Sequence, residues 1–323
     1  MTPFLTLTLN PALDIATRTE HVQATHKLRC AGVQRYPGGG GINVARVLHR
    51  LGSPVQAWAL AGGPAGAQLQ QLLAREGVPT LVQPIDGDTR ENLSVLETST
   101  GREFRFVLPG PTAGLADWQA GLQVLRTSTS VTPAATHRWV IASGSLPPGV
   151  PDDFYAQAAR LAKAQGCPMV LDTSGPPLTA ALQAGVTLVK PSLRELRELL
   201  QQPLESLEAQ SQAAQSLVLR GSAEMVALSM GEDGALLATR HGVWQAPALN
   251  VPAATGTTGA GDCFLAALVW ALARGDTPRE ALRWGVAAGA AALLAPGTGL
   301  AQRAEILRLH AEVPAPQPMA STG

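Results

Sequence analysis

Residues 37–51 read PGGGGINVARVLHRL, four consecutive glycines that run straight into a helical period. Val44, Val47, Leu48 and Leu51 hold the i, i+3, i+4, i+7 positions of one apolar face. Glycines at a helix start let the backbone approach a ligand closely and present free N–H groups to oxygen. A dinucleotide site would need a strand before the run and an acidic residue about 20 positions after it. Instead Gln34-Arg35-Tyr36-Pro37 precede it, and no acid occurs between Gly41 and Glu76. The stretch reads as a sugar- or phosphate-binding turn, with a purely structural turn as the plain alternative.

Outward from it, short β-branched runs alternate with helical periods, which predicts parallel strands joined by crossover helices. Strands are expected at 4–9, 55–60, 138–142, 168–172, 186–190 and 225–230. Helices are expected near 65–75, 152–165, 192–200, 206–218, 262–274, 278–294 and 301–311. Two segments break the rhythm. Residues 91–108 alternate strictly, with Leu93, Val95, Phe104, Phe106 and Leu108 on one face across a turn at Thr100-Gly101. Residues 12–36 also read as extended. Together they predict a small antiparallel lid over the C-terminal edge of the core strands, where open α/β sheets bind ligands. The expected division is a core of 1–11, 37–87 and 113–313, a lid of 12–36 and 88–112, and a disordered tail over 314–323. A hairpin face that apolar, on a sheet too small for its own core, predicts a homodimer in which lid packs on lid.

Composition bounds the function. The chain has 323 residues, 46% hydrophobic and 15% charged, with 24 cationic against 24 anionic side chains. A chain of this length buries about three quarters of its surface, enough for a large core. Zero net charge argues against nucleic acid as a partner. The apolar run CFLAALVWALA (263–273) has 11 residues, too few to cross a membrane. No basic-then-apolar leader opens the chain, so the expectation is a cytoplasmic protein without a membrane partner. Cys30, Cys167 and Cys263 form no CxxC pair, and the six histidines show no metal-binding spacing. Only three of the 24 cations are lysines, so each lysine carries more information than usual.

The second chemical motif is TGTTGAGDCF at 255–264. Gly259-Ala260-Gly261 at a helix start offers an anion site built from backbone N–H groups. Asp262 beside it is either a helix cap or a general base that takes a proton from an attacking hydroxyl next to a bound phosphate. No GxxxxGK[ST] occurs, so this is not a Walker-type site. Asp14 follows the first strand. Ser143 opens SGSLPPG (143–149) at the end of another strand; the motif is not GxSxG, so no nucleophilic serine is indicated. Ser229 to Ala235 also ends a strand, while Lys27, Arg29, Arg90 and Arg105 lie in the lid, where cations can meet a phosphate.

TLTLNPALD, PGGGGINVAR, RENLSV, FRFVLPG, SGSLPPG, GTTGAGD and VAAGAAA together resemble the ribokinase/PfkB family of sugar kinases, from about residue 4 to 300. Within it the likeness is to kinases of phosphorylated sugars. The resemblance implies an α/β fold, a ribokinase-like three-layer parallel-sheet core with a β-lid. It implies Asp262 as catalytic base, with Gly259, Ala260 and Gly261 as the anion hole. Asp14, Gly38, Gly39, Asn43, Arg90 and Ser143 would hold the phosphosugar, helped by Lys27, Arg29 and Arg105. Lys190, Ser192, Ser229, Gly231 and Gly234 would border ATP, and Glu195 would help place Mg²⁺ indirectly. The implied cofactors are Mg²⁺ with ATP and a monovalent cation, K⁺, beside the GAGD loop.

Glycine at 40, where many members carry GGKG, and KLRC at 27–30 resemble the members that act on fructose 6-phosphate, so the resemblance implies that substrate. Fructose 1-phosphate and tagatose 6-phosphate stand as alternatives within the class. The family's NxxE becomes Ser192-Leu193-Arg194-Glu195, and that exchange keeps open a different class, a non-catalytic sugar-phosphate sensor.

Overall fold

The computed structural model describes residues 3–128, 139–251, 258–297 and 299–319. The first strand, β1 (Phe4–Thr8), is buried at every position, as a strand covered by helices on both faces must be. From it the chain leaves for a small sheet through β2 (Ala12–Thr19) and β3 (Ala31–Gly38), then returns along α1 (Gly40–Arg50) to β4 (Val55–Ala61). Next come α2 (Gly63–Arg75) and β5 (Thr80–Pro84), followed by a second excursion, β6 (Arg90–Glu97) and β7 (Glu103–Phe106). The core resumes with α3 (Leu115–Ser128), β8 (Trp139–Ser143), α4 (Phe154–Ala164), β9 (Met169–Asp172), α5 (Gly175–Ala184) and β10 (Val186–Val189). Then follow α6 (Leu193–Leu200), α7 (Leu207–Leu219), β11 (Ala223–Ser229), β12 (Ala235–Thr239) and β13 (Gly242–Ala246). The last elements are α8 (Ala260–Ala273), α9 (Pro278–Leu293), α10 (Arg303–His310) and β14 (Gln317–Pro318).

The large sheet runs β14-β13-β12-β11-β10-β9-β8-β1-β4-β5. It is parallel from β11 to β5 and antiparallel beyond β11. Alternate residues of β4 divide between its faces: Ala57 and Ala59 join the apolar cluster of α1, α2, α8, α9 and α10, while Trp58 and Leu60 join that of α3 to α7. The result is three layers. Strand order reverses between β1 and β8, the crevice where such sheets bind ligands.

The small sheet runs β3-β2-β6-β7. Its outer pairs are antiparallel, and the central β2–β6 pair is parallel, since both strands begin an excursion away from the core. Leu93 faces Phe106 and Val95 faces Phe104, so these four share one face as their period predicts, while Leu108, expected with them, lies beyond the end of β7. Asp14 lies opposite Asn92, and Ser94 opposite Arg105, which sets a polar row on the other face.

The tail corrects an expectation. Gln317 and Pro318 pair with Gln245 and Trp244, and the Met319 amide donates to the Val243 carbonyl at 2.8 Å. An open sheet edge offers unpaired N–H and C=O groups, and even a proline-rich segment can use them. Residues 320–323 lie outside the described residues, as do Arg138 at the start of one expected strand and residues 255–257 of the second glycine motif. No described helix is long and apolar enough to cross a membrane.

Candidate active site

The C-terminal ends of five neighbouring strands supply the site. β1 leads to Asn10 and the lid, β8 ends in Ser143, β9 ends in Asp172, Lys190 follows β10, and β11 ends in Ser229. The glycine run lies across these ends. A Cβ on Gly38 would overlap the carboxylate of Asp14, and one on Gly40 would overlap the Ser143 hydroxyl. The run is glycine because lid and core side chains already occupy that space. Gly39 is the N-cap of α1.

Asp262 sits in the first turn of α8, whose N-cap is Gly259 with φ +80° and no side-chain cap. Its carboxylate accepts from the Asn43 side-chain amide at 2.8 Å. Burial pushes the Asp262 carboxyl up to about 7; the charge of Asp172 adds to this, and the Asn43 hydrogen bond and Lys190 oppose it. A carboxylate poised there suits a general base working near neutral pH. Gly259, Ala260 and Gly261 form the helix start beside it, as the sequence predicts.

Lys190 has a partner that sequence reading missed. Its ammonium lies 3.1 Å from Asp172, with 6% and 16% of the two side chains exposed. The Ser143 hydroxyl donates to Asp172 at 3.4 Å. Burial opposes the charge on Lys190, but Asp172, Glu195 and Asp262 outweigh it and hold the ammonium above the ordinary lysine range. The ammonium also approaches Gly261, 3.6 Å from where its Cβ would be. A fixed positive charge thus stands beside the helix start. Asp172 ends PMVLD as Ser143 ends its strand, a position the sequence offers without marking this aspartate out from others.

The lid brings its polar face to the same place. Asp14 accepts from the Asn92 amide at 2.8 Å, and burial raises its carboxyl against the pull of Asn92, Arg105 and Arg90. The Arg90 guanidinium donates to the Asn10 carbonyl at 2.9 Å and to the Pro11 and Leu108 carbonyls at 3.4 Å each. Burial lowers the Arg90 pKa, and Asp14 counters it. Asn92 is a second residue that sequence reading passed over. Lys27 and Arg29 are exposed in the connection between β2 and β3, beyond Thr19. The Arg29 carbonyl accepts from the Thr19 hydroxyl at 3.5 Å, which sets this connection at the end of β2 five positions along the strand from Asp14, about 16 Å.

On the opposite side, Ser192 and Glu195 make a capping box at the start of α6. The Ser192 hydroxyl accepts from the Glu195 amide at 3.3 Å, and the Glu195 carboxylate accepts from the Ser192 amide at 2.8 Å. Serine and asparagine are both strong N-caps, so the exchange at 192 keeps the local geometry. Ser229 bridges to Ser192, and its amide donates to the Pro191 carbonyl at 3.1 Å. Gly231 and Gly234 (φ +91°) shape the tight turn after it, closed by the Met230 amide on the Gly234 carbonyl at 2.9 Å. Among the described residues, no group of three His, Cys, Asp or Glu side chains is placed to hold a metal ion.

Residues 7–304 match the model of the pfkB family carbohydrate kinases. The chain belongs to that family and is a carbohydrate kinase. It is 45% identical over 304 residues to the ATP-dependent 6-phosphofructokinase isozyme 2 of Mycobacterium tuberculosis, covering 94% of this chain and 88% of the relative. Against the 1-phosphofructokinase of Bacillus subtilis it is 33% identical over 288 residues, covering 88% and 91%. Structures of phosphofructokinase-2 from Escherichia coli include a fructose-6-phosphate complex, a potassium complex and a tetrameric inhibited form. Their TM-scores are 0.88, 0.89 and 0.88 at 36%, 37% and 37% identity, each covering 97% of this chain and 99% of that one.

Proposed function

We propose that this kinase transfers the γ-phosphoryl group of ATP to the free primary hydroxyl of fructose 6-phosphate, giving fructose 1,6-bisphosphate. The observation that carries the reading is Asp262, a carboxylate at the start of α8, held by Asn43 and beside the buried charge of Lys190. Asp262 accepts the proton as the hydroxyl on carbon one attacks. The amides of Gly259, Ala260 and Gly261, with Lys190, stabilise charge on the transferring group. Asp14 and Asn92 bind sugar hydroxyls, and Ser143, Gly38 and Gly39 shape the floor. Arg90 and Arg105 meet the sugar's phosphate, and the lid excludes the water that would otherwise consume ATP. Ser192, Ser229, Gly231 and Gly234 border the nucleotide.

The donor set fits Mg²⁺ carried by the nucleotide, since Mg²⁺ keeps several waters and takes one or two carboxylates plus phosphate oxygens. Glu195 uses Oε2 on its own helix cap, which leaves Oε1 for a water of the ion. Bound there, Mg²⁺ neutralises phosphoryl charge. A K⁺ ion beside the GAGD loop is part of the same proposal, and the potassium complex of the E. coli relative supports a monovalent cation in such a kinase.

We also propose a homodimer formed through the lids. Its support is the apolar lid face: Val33, Leu93 and Phe106 are 52%, 38% and 53% exposed in the single chain. That arrangement gives Lys27 and Arg29 a role at the neighbour's substrate. We place the enzyme in the cytoplasm, where ATP is made and used. The sensor reading loses its motive, because Ser192 caps α6 as asparagine would.

Higher identity to the 6-phosphofructokinase than to the 1-phosphofructokinase favours fructose 6-phosphate, as does glycine at 40. The test is coupled ADP release with fructose 6-phosphate, fructose 1-phosphate and tagatose 6-phosphate side by side. The first should give the highest kcat/KM. A clear preference for fructose 1-phosphate overturns the substrate and spares the kinase.

A further inference from the structure

Arg46, in the middle of α1, is 1% exposed. A guanidinium that deep needs full pairing. Nε donates to Glu76 Oε1 and Oε2 at 3.1 and 3.0 Å, and Nη2 donates to Glu76 Oε1 at 2.7 Å. Nη1 donates to the Pro37 carbonyl at 2.9 Å, just ahead of the glycine run, and to Asn43 Oδ1 at 3.4 Å. Arg50, one turn on, donates to the other oxygen of Glu76 at 3.1 Å. The guanidinium groups hold the Glu76 carboxyl below its usual range in spite of its burial.

A guanidinium only donates, and an ionised carboxylate only accepts. Asn43 stands between the two. With its oxygen toward Arg46 and its NH₂ toward Asp262, both contacts are satisfied. The flipped amide would set oxygen against oxygen and N–H against N–H, two faults in a site with little water to repair them. We propose that Arg46, braced by Glu76, is a positioning residue: it fixes which way the Asn43 amide faces and so keeps a hydrogen-bond donor on Asp262.

The other groups facing Asp262 are Asp172 from β9, Lys190 after β10 and Asp14 from β2. Cys263 adjoins it on α8, where burial raises the thiol to about 12. α9 meets that end of the helix with Gly285 and Gly289 and carries no titratable side chain from 285 to 293. Asn43 is therefore the donor whose orientation Arg46 sets, while the charges around it stay in place.

The kinetic arm of the test rests on Asp262 acting as base; the spectroscopic arm does not. The Asn43 side-chain NH₂ signals, assigned by their loss in Asn43→Ala, are followed by ¹⁵N–¹H NMR in wild type and Arg46→Lys. The paired variant Arg46→Met/Glu76→Leu, which removes both charges together, covers the case in which Arg46→Lys does not fold. In wild type one Asn43 amide proton should lie downfield and exchange slowly, and both variants should lose that signature. The acid limb of kcat should move up by about one pH unit, the worth of one hydrogen bond to a charged group. At pH 7 that is about a fivefold loss of kcat. A lower Tm with the Asn43 signal and the acid limb both unchanged would mean Arg46 is only structural, and the proposal fails. If wild type proves inactive on sugar phosphates while the Asn43 signal still answers to Arg46, the positioning stands and the functional reading falls.

Discussion

The Lys190 ammonium stands 3.1 Å from the Asp172 carboxylate, at the point where two adjacent core strands stop. The two charges act on Asp262 in opposite directions: Asp172 raises its pKa and Lys190 lowers it. Asp172→Asn should therefore move the acid limb of kcat/KM to lower pH. Lys190→Met should move it up and also leave a buried carboxylate unpaired, costing about 3–5 kcal/mol in urea unfolding. Shifts of the same sign in both variants would show that the pair does not set the base.

Wild-type kcat/KM should fall below an apparent pKa near 7, about tenfold per pH unit, because Asp262 must be ionised to take the proton. Stability should show the opposite trend. The folded pKa lies above the ordinary 3.8, so the folded state holds this proton more tightly than the unfolded chain, and ionisation costs stability as pH rises from about 4 to about 7. Asp262→Asn is spared that cost. The Tm of Asp262→Asn relative to wild type should widen between pH 5 and pH 7 and then stay level. A gap that does not vary with pH would place an ordinary carboxylate at 262.

Gly38→Ala should displace the Asp14 carboxylate, whose position overlaps the new methyl group. A misplacement of about 1 Å costs on the order of 10²-fold in kcat/KM. The loss should appear in KM for the sugar phosphate, with KM for ATP unchanged, in initial-rate kinetics that vary each substrate in turn.

Phe106 is 53% exposed on the apolar lid face. Phe106→Asp should put an unpaired charge into the lid contact, split the dimer and raise KM for the sugar phosphate more than for ATP. Light scattering on wild type and variant checks it: a monomeric wild type at micromolar concentration removes the interface, and so does an unaltered dimer in the variant.

What the sequence revealed was what backbone geometry or period forces. Gly38 and Gly40 had to be glycine because other side chains fill their Cβ positions, and a run of them is conspicuous. Leu93 and Phe106 were readable because a strand face repeats every two residues. Asp172 was not, since one aspartate at a strand end looks like any other until Lys190 is seen beside it. The Arg46–Glu76 contact joins α1 to the residue after α2, 30 positions on, and no local period announces such a pair. α5 opens Gly175-Pro176-Pro177, which reads as a breaker although proline suits the first helical turn. β12 and β13 pair as an antiparallel hairpin beside the parallel strands that showed the βα rhythm, so their short runs carried no crossover signal.

The central claim is that Asp262 removes the proton from the attacking hydroxyl. It is tested most directly by rapid-quench single-turnover transfer from ATP to fructose 6-phosphate in wild type and Asp262→Asn. Far-UV circular dichroism and ATP binding should be unchanged, because the amide is nearly isosteric with the carboxylate. The rate of transfer should drop on the order of 10²–10⁴-fold, the usual worth of a general base. A variant that keeps more than about a third of the wild-type rate would contradict the account and leave Asp262 a structural residue of the helix start.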